Sequence, residues 1–308
     1  MVDRLGRLKH ASPRFADLAL VFNTLVWGAT FILVKSALGG ISALLFLALR
    51  FCLATLALAL LFRKPLSQPG ARKGWKAGAL VGTFLFLGYV FQTLGLRLTS
   101  APKSAFITGL TSVMVPLLGS FVYRNKPRFS EWCGILTAMA GLGLMTLPGA
   151  ALPEALGSVN RGDVLTFFCS IAFAAHIVSL GYFSNRVGFE LLSVTQVGMA
   201  ALCSAGGLAA GSILGWTESP FVDWRPEVIF AILITGLFAT ALAFTVQAWA
   251  QKYTTPTRTA LIYMLEPVVA WATSYLLAGE GLTRRAAAGA ALILGGVLLV
   301  ELKPLIPR

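Results

Sequence analysis

Apolar stretches of about 20 residues recur along the whole chain, and they constrain the fold more than any other feature of the sequence. A helix rises about 1.5 Å per residue, so each stretch matches the hydrocarbon thickness of a bilayer. Ten can be placed, over residues 15–35, 42–62, 75–96, 102–123, 131–148, 162–183, 190–212, 227–250, 257–278 and 285–302. They lack strict polar–apolar alternation and are about twice as long as a barrel strand, which excludes a membrane β-barrel. Composition agrees. The chain is 57% hydrophobic and 12% charged, with a mean hydropathy of +0.79, against about 25% charge in an ordinary soluble domain. The expected fold is an all-α integral membrane protein of ten transmembrane helices. The 308 residues leave room for tails and loops but not for a sizeable soluble domain.

The net charge of +13 is distributed as a topology signal. Arg4, Arg7, Lys9 and Arg14 precede an apolar run that reaches Lys35 without a small-x-small cleavage site. It therefore reads as a first span rather than a secretory leader. With the N-terminus inside, seventeen Lys and Arg fall on cytoplasmic segments and seven on external ones, and Arg50 sits within a span. This bias favours both termini in the cytoplasm, and the expected location is the cytoplasmic (inner) membrane. The basic excess suits anionic headgroups, so no nucleic-acid partner is expected. Cys52, Cys133, Cys169 and Cys203 lie inside apolar runs without CxxC spacing and read as small hydrophobes. No GxxxxGK[ST], HExxH or GxSxG motif occurs. The chain is expected to be no enzyme and to need neither metal nor cofactor.

An internal repeat supplies the architecture. In a register of 155, Gln92 matches Gln247, Thr99 matches Thr254, Ala105 matches Ala260, Ile107 matches Ile262, Gly134 matches Gly289 and Gly141 matches Gly296. The earlier spans match in a register of 146: Asp17 with Asp163, Trp27 with Phe173, Arg50 with Gln196. A longer loop around 213–226 explains the offset. The expected units are residues 1–148 and 162–308, joined by a linker at 149–161. Five spans per unit is an odd number, so the second unit inserts upside down. Inverted five-helix repeats are a transporter architecture, with a solute site near the midplane.

Polar groups in hydrocarbon are costly, so their positions carry information. Asn23, Trp27 and Thr30 share one helix face, and their counterparts are Cys169, Phe173 and His176. Ser104, Thr108 and Thr111 correspond to Thr259, Tyr263 and Glu266, and Tyr89 with Gln92 to Phe244 with Gln247. Matching stripes in both units point to one shared cavity. The expected substrate-binding set is Asn23, Trp27, Thr30, Tyr89, Gln92, Thr108, Phe173, His176, Phe244, Gln247, Tyr263 and Glu266. Glu266 and His176 are the candidate proton carriers. Pro267 removes a backbone donor and predicts a kink beside Glu266. Arg50, whose counterpart is uncharged, reads as a structural pairing with Glu266 or helix-end carbonyls. Gly141, Gly143, Gly295 and Gly296 predict tight packing of the fifth and tenth spans. Glu280 reads as a solvated charge at a span end.

The segments Trp27-Gly-Ala-Thr-Phe31, Arg50-Phe51, Ala105 to Pro116, Ala260-Leu-Ile-Tyr-Met-Leu-Glu-Pro267 and Leu276-Leu-Ala-Gly-Glu280 resemble the EamA family of the drug/metabolite transporter superfamily. The resemblance covers essentially the whole chain. It implies ten helices with cytoplasmic termini, a cavity lined by helices 1, 3, 4, 6, 8 and 9, and movement of small metabolites, amino acids first among them, by alternating access. Export is the implied direction; proton coupling is a separate expectation drawn from Glu266 itself. The first unit ends its fourth span with Tyr123-Arg124-Asn125 where members often carry Gly-Glu, which leaves Glu280 without a paired counterpart. A nucleotide-sugar or sugar-phosphate exchanger, a non-transport intramembrane enzyme and a channel remain as alternatives. The expected partners are a small-molecule substrate and the lipid bilayer, and the expected state is monomer or homodimer.

Overall fold

The computed structural model describes residues 12–66, 71–96, 98–99, 101–147, 159–214, 220–278 and 283–301. Among these the chain is helical, apart from turns and one isolated bridge between Ile41 and Val222. The helices are α1 (Pro13–Ala37), α2 (Ala43–Leu61), α3 (Ala71–Leu96), α4a (Ala101–Gly109), α4b (Thr111–Tyr123), α5 (Phe129–Thr146), α6 (Arg161–Ser184), α7 (Phe189–Leu214), α8 (Pro226–Ala250), α9a (Pro256–Tyr263), α9b (Glu266–Ala278) and α10 (Arg284–Glu301). Among the described residues, six segments are long and apolar enough to cross a membrane: Ala43–Leu61, Gly74–Gly95, Lys103–Tyr123, Arg161–Ser184, Phe189–Gly211 and Pro226–Ala250. Most of the 149–161 linker and all of Glu280 lie outside the described residues.

The helix starts follow from local chemistry. Ser12 accepts a bond from the Phe15 N–H with Pro13 in the first turn, and Thr255 accepts one from Arg258 N–H with Pro256 following. Proline is preorganised there because its missing N–H would be unpaired in any case. Asn160 and Asp163 bond each other's backbone N–H reciprocally at the start of α6.

Packing is mostly between helices far apart in sequence. α3 lies on α6 and α7, while α8 lies on α1 and α2; α4 packs on α6, α9 on α1, α2 on α7, and α5 on α10. In the registers of 146 and 155 each of these pairings maps onto another or onto itself. In a bilayer, lipid tails are as apolar as leucine, so close approach of small residues supplies the association energy. A Cβ on Gly141 would collide with the Gly289 carbonyl, and one on Gly134 with Val300 and the Gly296 carbonyl. Gly141 and Gly296 thus hold α5 against α10 as expected. Gly295 faces open space, and Gly143 lies near Phe106, so these two do not belong to the contact. Substituting Gly141→Val is expected to destabilise the protein by about 1–3 kcal/mol through overpacking. Gly295→Ala should leave the thermal unfolding midpoint in detergent unchanged or slightly raised, and the two midpoints measured side by side check the assignment.

Two interruptions shape the interior. The helix over residues 102–123, expected to be continuous, is broken at Leu110. The second break falls at Met264 and Leu265, beside Pro267 where a kink was expected. The breaks are equivalent in the register of 155. Leu110 N–H bonds Ile107 O at 3.1 Å, and Leu265 N–H bonds Ile262 O at 3.0 Å, each a tightened turn. The Thr111 and Ser112 hydroxyls donate to Thr108 O (2.7 Å) and Gly109 O (2.9 Å), occupying carbonyls released at the first break. Glu266 and Pro267 stand at the corresponding positions of the second. A third irregularity is a π-helical stretch, Leu237–Leu242, inside α8. Such bulges release carbonyls from the regular ladder and recur at functional sites.

Candidate functional site

The two breaks and the π stretch meet in one constellation. α1 contributes Asn23 and Trp27, α2 Arg50, α3 Tyr89, α4a Thr108, α6 Cys169 and Phe173, α8 Ala239, Thr240 and Phe244, and α9 Tyr263 and Glu266. Trp27 Nε1–H donates to Ala239 O at 2.8 Å, and its ring stands edge-on to Tyr263 at 4.8 Å and tilted to Phe244 at 5.7 Å. Tyr89 lies edge-on to Phe173 at 5.4 Å and to Phe51 at 5.4 Å. The structure thus brings Trp27, Phe244 and Tyr263 together and Tyr89 against Phe173, while Phe51 lies outside the expected stripes.

Arg50 is buried and tied to three protein groups. Its Nε–H donates to Thr240 Oγ1 at 2.5 Å, and its Nη2 donates to Ala239 O at 3.1 Å and to the Tyr89 hydroxyl at 3.3 Å. The π stretch supplies the carbonyl and hydroxyl that make this possible. A planar fork of fixed donors suits such a cradle better than an ammonium does. Glu266 lies within electrostatic reach of Arg50, and both tyrosines feel its charge. Although enclosed by protein, Glu266, Trp27, Tyr89, Thr108 and Tyr263 each keep part of their surface accessible, as groups bordering an internal space do. Asn23 donates through Nδ2 to Ala243 O at 2.7 Å. Among the described residues, its Oδ1 and the neighbouring Tyr263 hydroxyl complete no hydrogen bond.

Other expected members sit differently. His176 is buried, with Nε2 3.0 Å from Gln196 Oε1 and its ring edge-on to Phe244 at 5.7 Å. Gln247 is buried on α8, 3.4 Å from Gln251, and its Oε1 has no partner among the described residues. Gln92 is partly exposed on α3, one turn beyond Tyr89. The Thr30 hydroxyl turns back to the Val26 and Trp27 carbonyls of its own helix. Thr108 touches Cys169 at 4.0 Å, and its carbonyl accepts from Thr111. The four cysteines are unpaired, and no grouping of His, Cys, Asp and Glu among the described residues could hold a metal ion.

The sequence matches the EamA-like transporter family twice, over residues 14–147 and 160–302. The chain belongs to the EamA-like transporter family. An "Uncharacterized transporter" of Archaeoglobus fulgidus is 33% identical over 98% of this chain and 91% of the relative. A "Probable amino-acid metabolite efflux pump" of Salmonella typhimurium is 26% identical over 89% of this chain and 90% of that protein. A crystal structure of a protein with 21% identity superimposes with a TM-score of 0.74, covering 95% of this chain and 99% of the other, and supports the fold. As an EamA-like transporter the chain is a multi-pass membrane protein whose substrate is a small molecule. The π stretch, which supplies the acceptors that hold Arg50, is the feature that sequence reasoning missed. Leu237–Leu242 contains no proline or glycine, so no local sequence signal marks it.

Proposed function

We propose that this EamA-like protein exports a small zwitterionic metabolite of the amino-acid class across the cytoplasmic membrane by alternating access. The proposed architecture is ten spans in two inverted five-helix repeats, residues 1–148 and 162–308 with a linker at 149–161, and both termini in the cytoplasm. The observation that carries the reading is one carboxylate, Glu266, at the second helix break and within electrostatic reach of one guanidinium, Arg50, among the rings of Trp27, Tyr263, Tyr89 and Phe173. A carboxylate within electrostatic reach of Tyr263, whose ring packs on Trp27, suits a substrate ammonium through charge and aromatic rings together. The start of α4b corresponds to the position Glu266 takes on α9b but carries Thr111 rather than an acid. The positive end of that half-helix therefore remains for a substrate carboxylate.

Once the ammonium leaves, Glu266 has lost its counter-charge from the substrate. Protonation of Glu266 in the empty carrier balances the return step, so a proton enters for each zwitterion exported. A single cation already bound to three protein groups fits a sugar phosphate or nucleotide sugar poorly. The 26% identical efflux pump named for amino-acid metabolites points the same way.

Purified protein in proteoliposomes loaded with unlabelled amino acids should accumulate the labelled counterpart by exchange, and the same amino acids should raise its melting temperature by mass action. Exchange with nucleotide sugars but no amino acid would overturn the substrate class. Product formation without solute movement would overturn transport itself.

A further inference from the structure

Two ion-paired clasps stand at opposite ends of the molecule. Asp163, which caps the start of α6, accepts the Thr99 hydroxyl at 2.6 Å and pairs with Lys103 Nζ at 2.6 Å. Asp17, near the start of α1, accepts the Thr254 hydroxyl at 2.7 Å and pairs with Arg258 Nη2 at 3.0 Å, an ion pair rather than an aligned hydrogen bond. Each member maps onto its counterpart: Asp17 on Asp163 in the register of 146, and Thr99 on Thr254 and Lys103 on Arg258 in the register of 155. Each clasp fastens a helical hairpin, α3–α4a or α8–α9a, to the start of a helix from the other half.

Their separation follows from α6. Asp163 lies at its beginning. Eighteen residues later Gly181 lies against Pro256, and Ile177 O accepts from Gln251 Nε2, so the α8–α9a junction sits at the far end. At about 1.5 Å per residue the ends are about 27 Å apart, close to a hydrocarbon thickness. The four charged side chains are 6–18% exposed, at the margin of water, where an ion pair can open at far lower cost than at the midplane.

We propose that these clasps are the two gate latches of the transport cycle: Asp163 with Thr99 and Lys103 closes one mouth, Asp17 with Thr254 and Arg258 closes the other. With both engaged, the conformation described here is occluded. Opening either mouth requires one hairpin to leave the helix start that holds it while the opposite clasp stays shut. The proposal rests on the transport reading and adds to it which side chains set the balance between the two open states. Neutralising one aspartate must therefore favour the mouth it closes, and neutralising the other must favour the opposite mouth.

The experiment is a sidedness assay with the full chain in membrane vesicles. Cys52, Cys133, Cys169 and Cys203 are replaced by alanine, Thr108→Cys serves as the reporter, and a membrane-impermeant maleimide is added to one face at a time. Asp163→Asn should raise labelling from the face where α6 begins about five- to tenfold, the range of ordinary conformational coupling. Asp17→Asn should do the same from the other face only. The swap Lys103→Asp with Asp163→Lys should return labelling to the starting level. Lys103→Cys with Asp163→Cys, oxidised to a disulfide, should block labelling from that face until reductant is added. Equal effects of the two neutralisations on one face, no effect of either, or undiminished labelling in the oxidised pair would each overturn the proposal. Labelling reads mouth opening whether or not solute moves, so an unsound transport reading would appear separately, as absent flux with the latch effects intact.

Discussion

Glu266→Gln is expected to abolish amino-acid exchange in proteoliposomes while the protein still purifies as a folded species. Glutamine keeps the size and most of the hydrogen-bonding capacity of the side chain, so the change isolates the charge. Loss of one partner from an enclosed charge pair costs about 2–5 kcal/mol. On that scale substrate-induced stabilisation should disappear over the concentration range in which the unaltered protein responds. Exchange of one solute for another needs no net proton movement, whereas flux driven by an imposed pH gradient does. Loss of both activities assigns the ammonium contact to Glu266. Retained exchange with loss of gradient-driven flux would assign only the proton, and retention of both would remove Glu266 from the site. The position of Glu266 at the first residue of α9b favours a negative charge independently of substrate, since the backbone dipoles of that half-helix converge there.

The second large effect is expected at Arg50, in stability rather than in flux alone. Arg50→Met removes the donors that reach Thr240, Ala239 and Tyr89 and leaves Glu266 without its cationic neighbour. Breaking a buried charge arrangement from one side costs about 3–5 kcal/mol. The melting temperature should fall by several degrees or more. Arg50→Lys should fall between methionine and the unaltered protein, because one ammonium cannot reach three acceptors arranged for a fork. Adding Glu266→Gln to Arg50→Met should recover part of the loss, since the unpaired carboxylate is then gone. Strict additivity of the two substitutions in thermal unfolding would show that the two groups do not interact.

The helices and the site differ in how readable they were. Hydropathy and charged punctuation place the helices, because the bilayer imposes one length on every crossing segment. The register of 155 follows from matched residues such as Gln92 and Gln247. The break beside Glu266 was legible because Pro267 cannot donate a backbone bond. Its counterpart at Leu110 was not, because Ser112 takes the proline's place and no local signal distinguishes it from an intact helix. Asp17 with Asp163 and Thr99 with Thr254 were legible as repeat matches. Their meeting as clasps was not, since it depends on which helix lies beside which across the two halves. The tie from Arg50 to Ala239 and Thr240 was hidden for the same reason: these residues are about 190 apart in the chain.

The cross-pairing of α3 with α6, α1 with α8 and α5 with α10 has a consequence for biogenesis. When the ribosome has delivered the first five segments, their eventual neighbours have not yet been made. At about 5–20 residues per second the remaining half takes on the order of ten seconds to emerge. Throughout that interval Lys103, Arg50 and the glycine-lined flank of α5 face lipid, the translocon or a chaperone instead of their final partners. Newborn chains truncated near residue 148 should therefore be targets for membrane quality control, and a separately expressed second half should rescue them only when both halves are synthesised together.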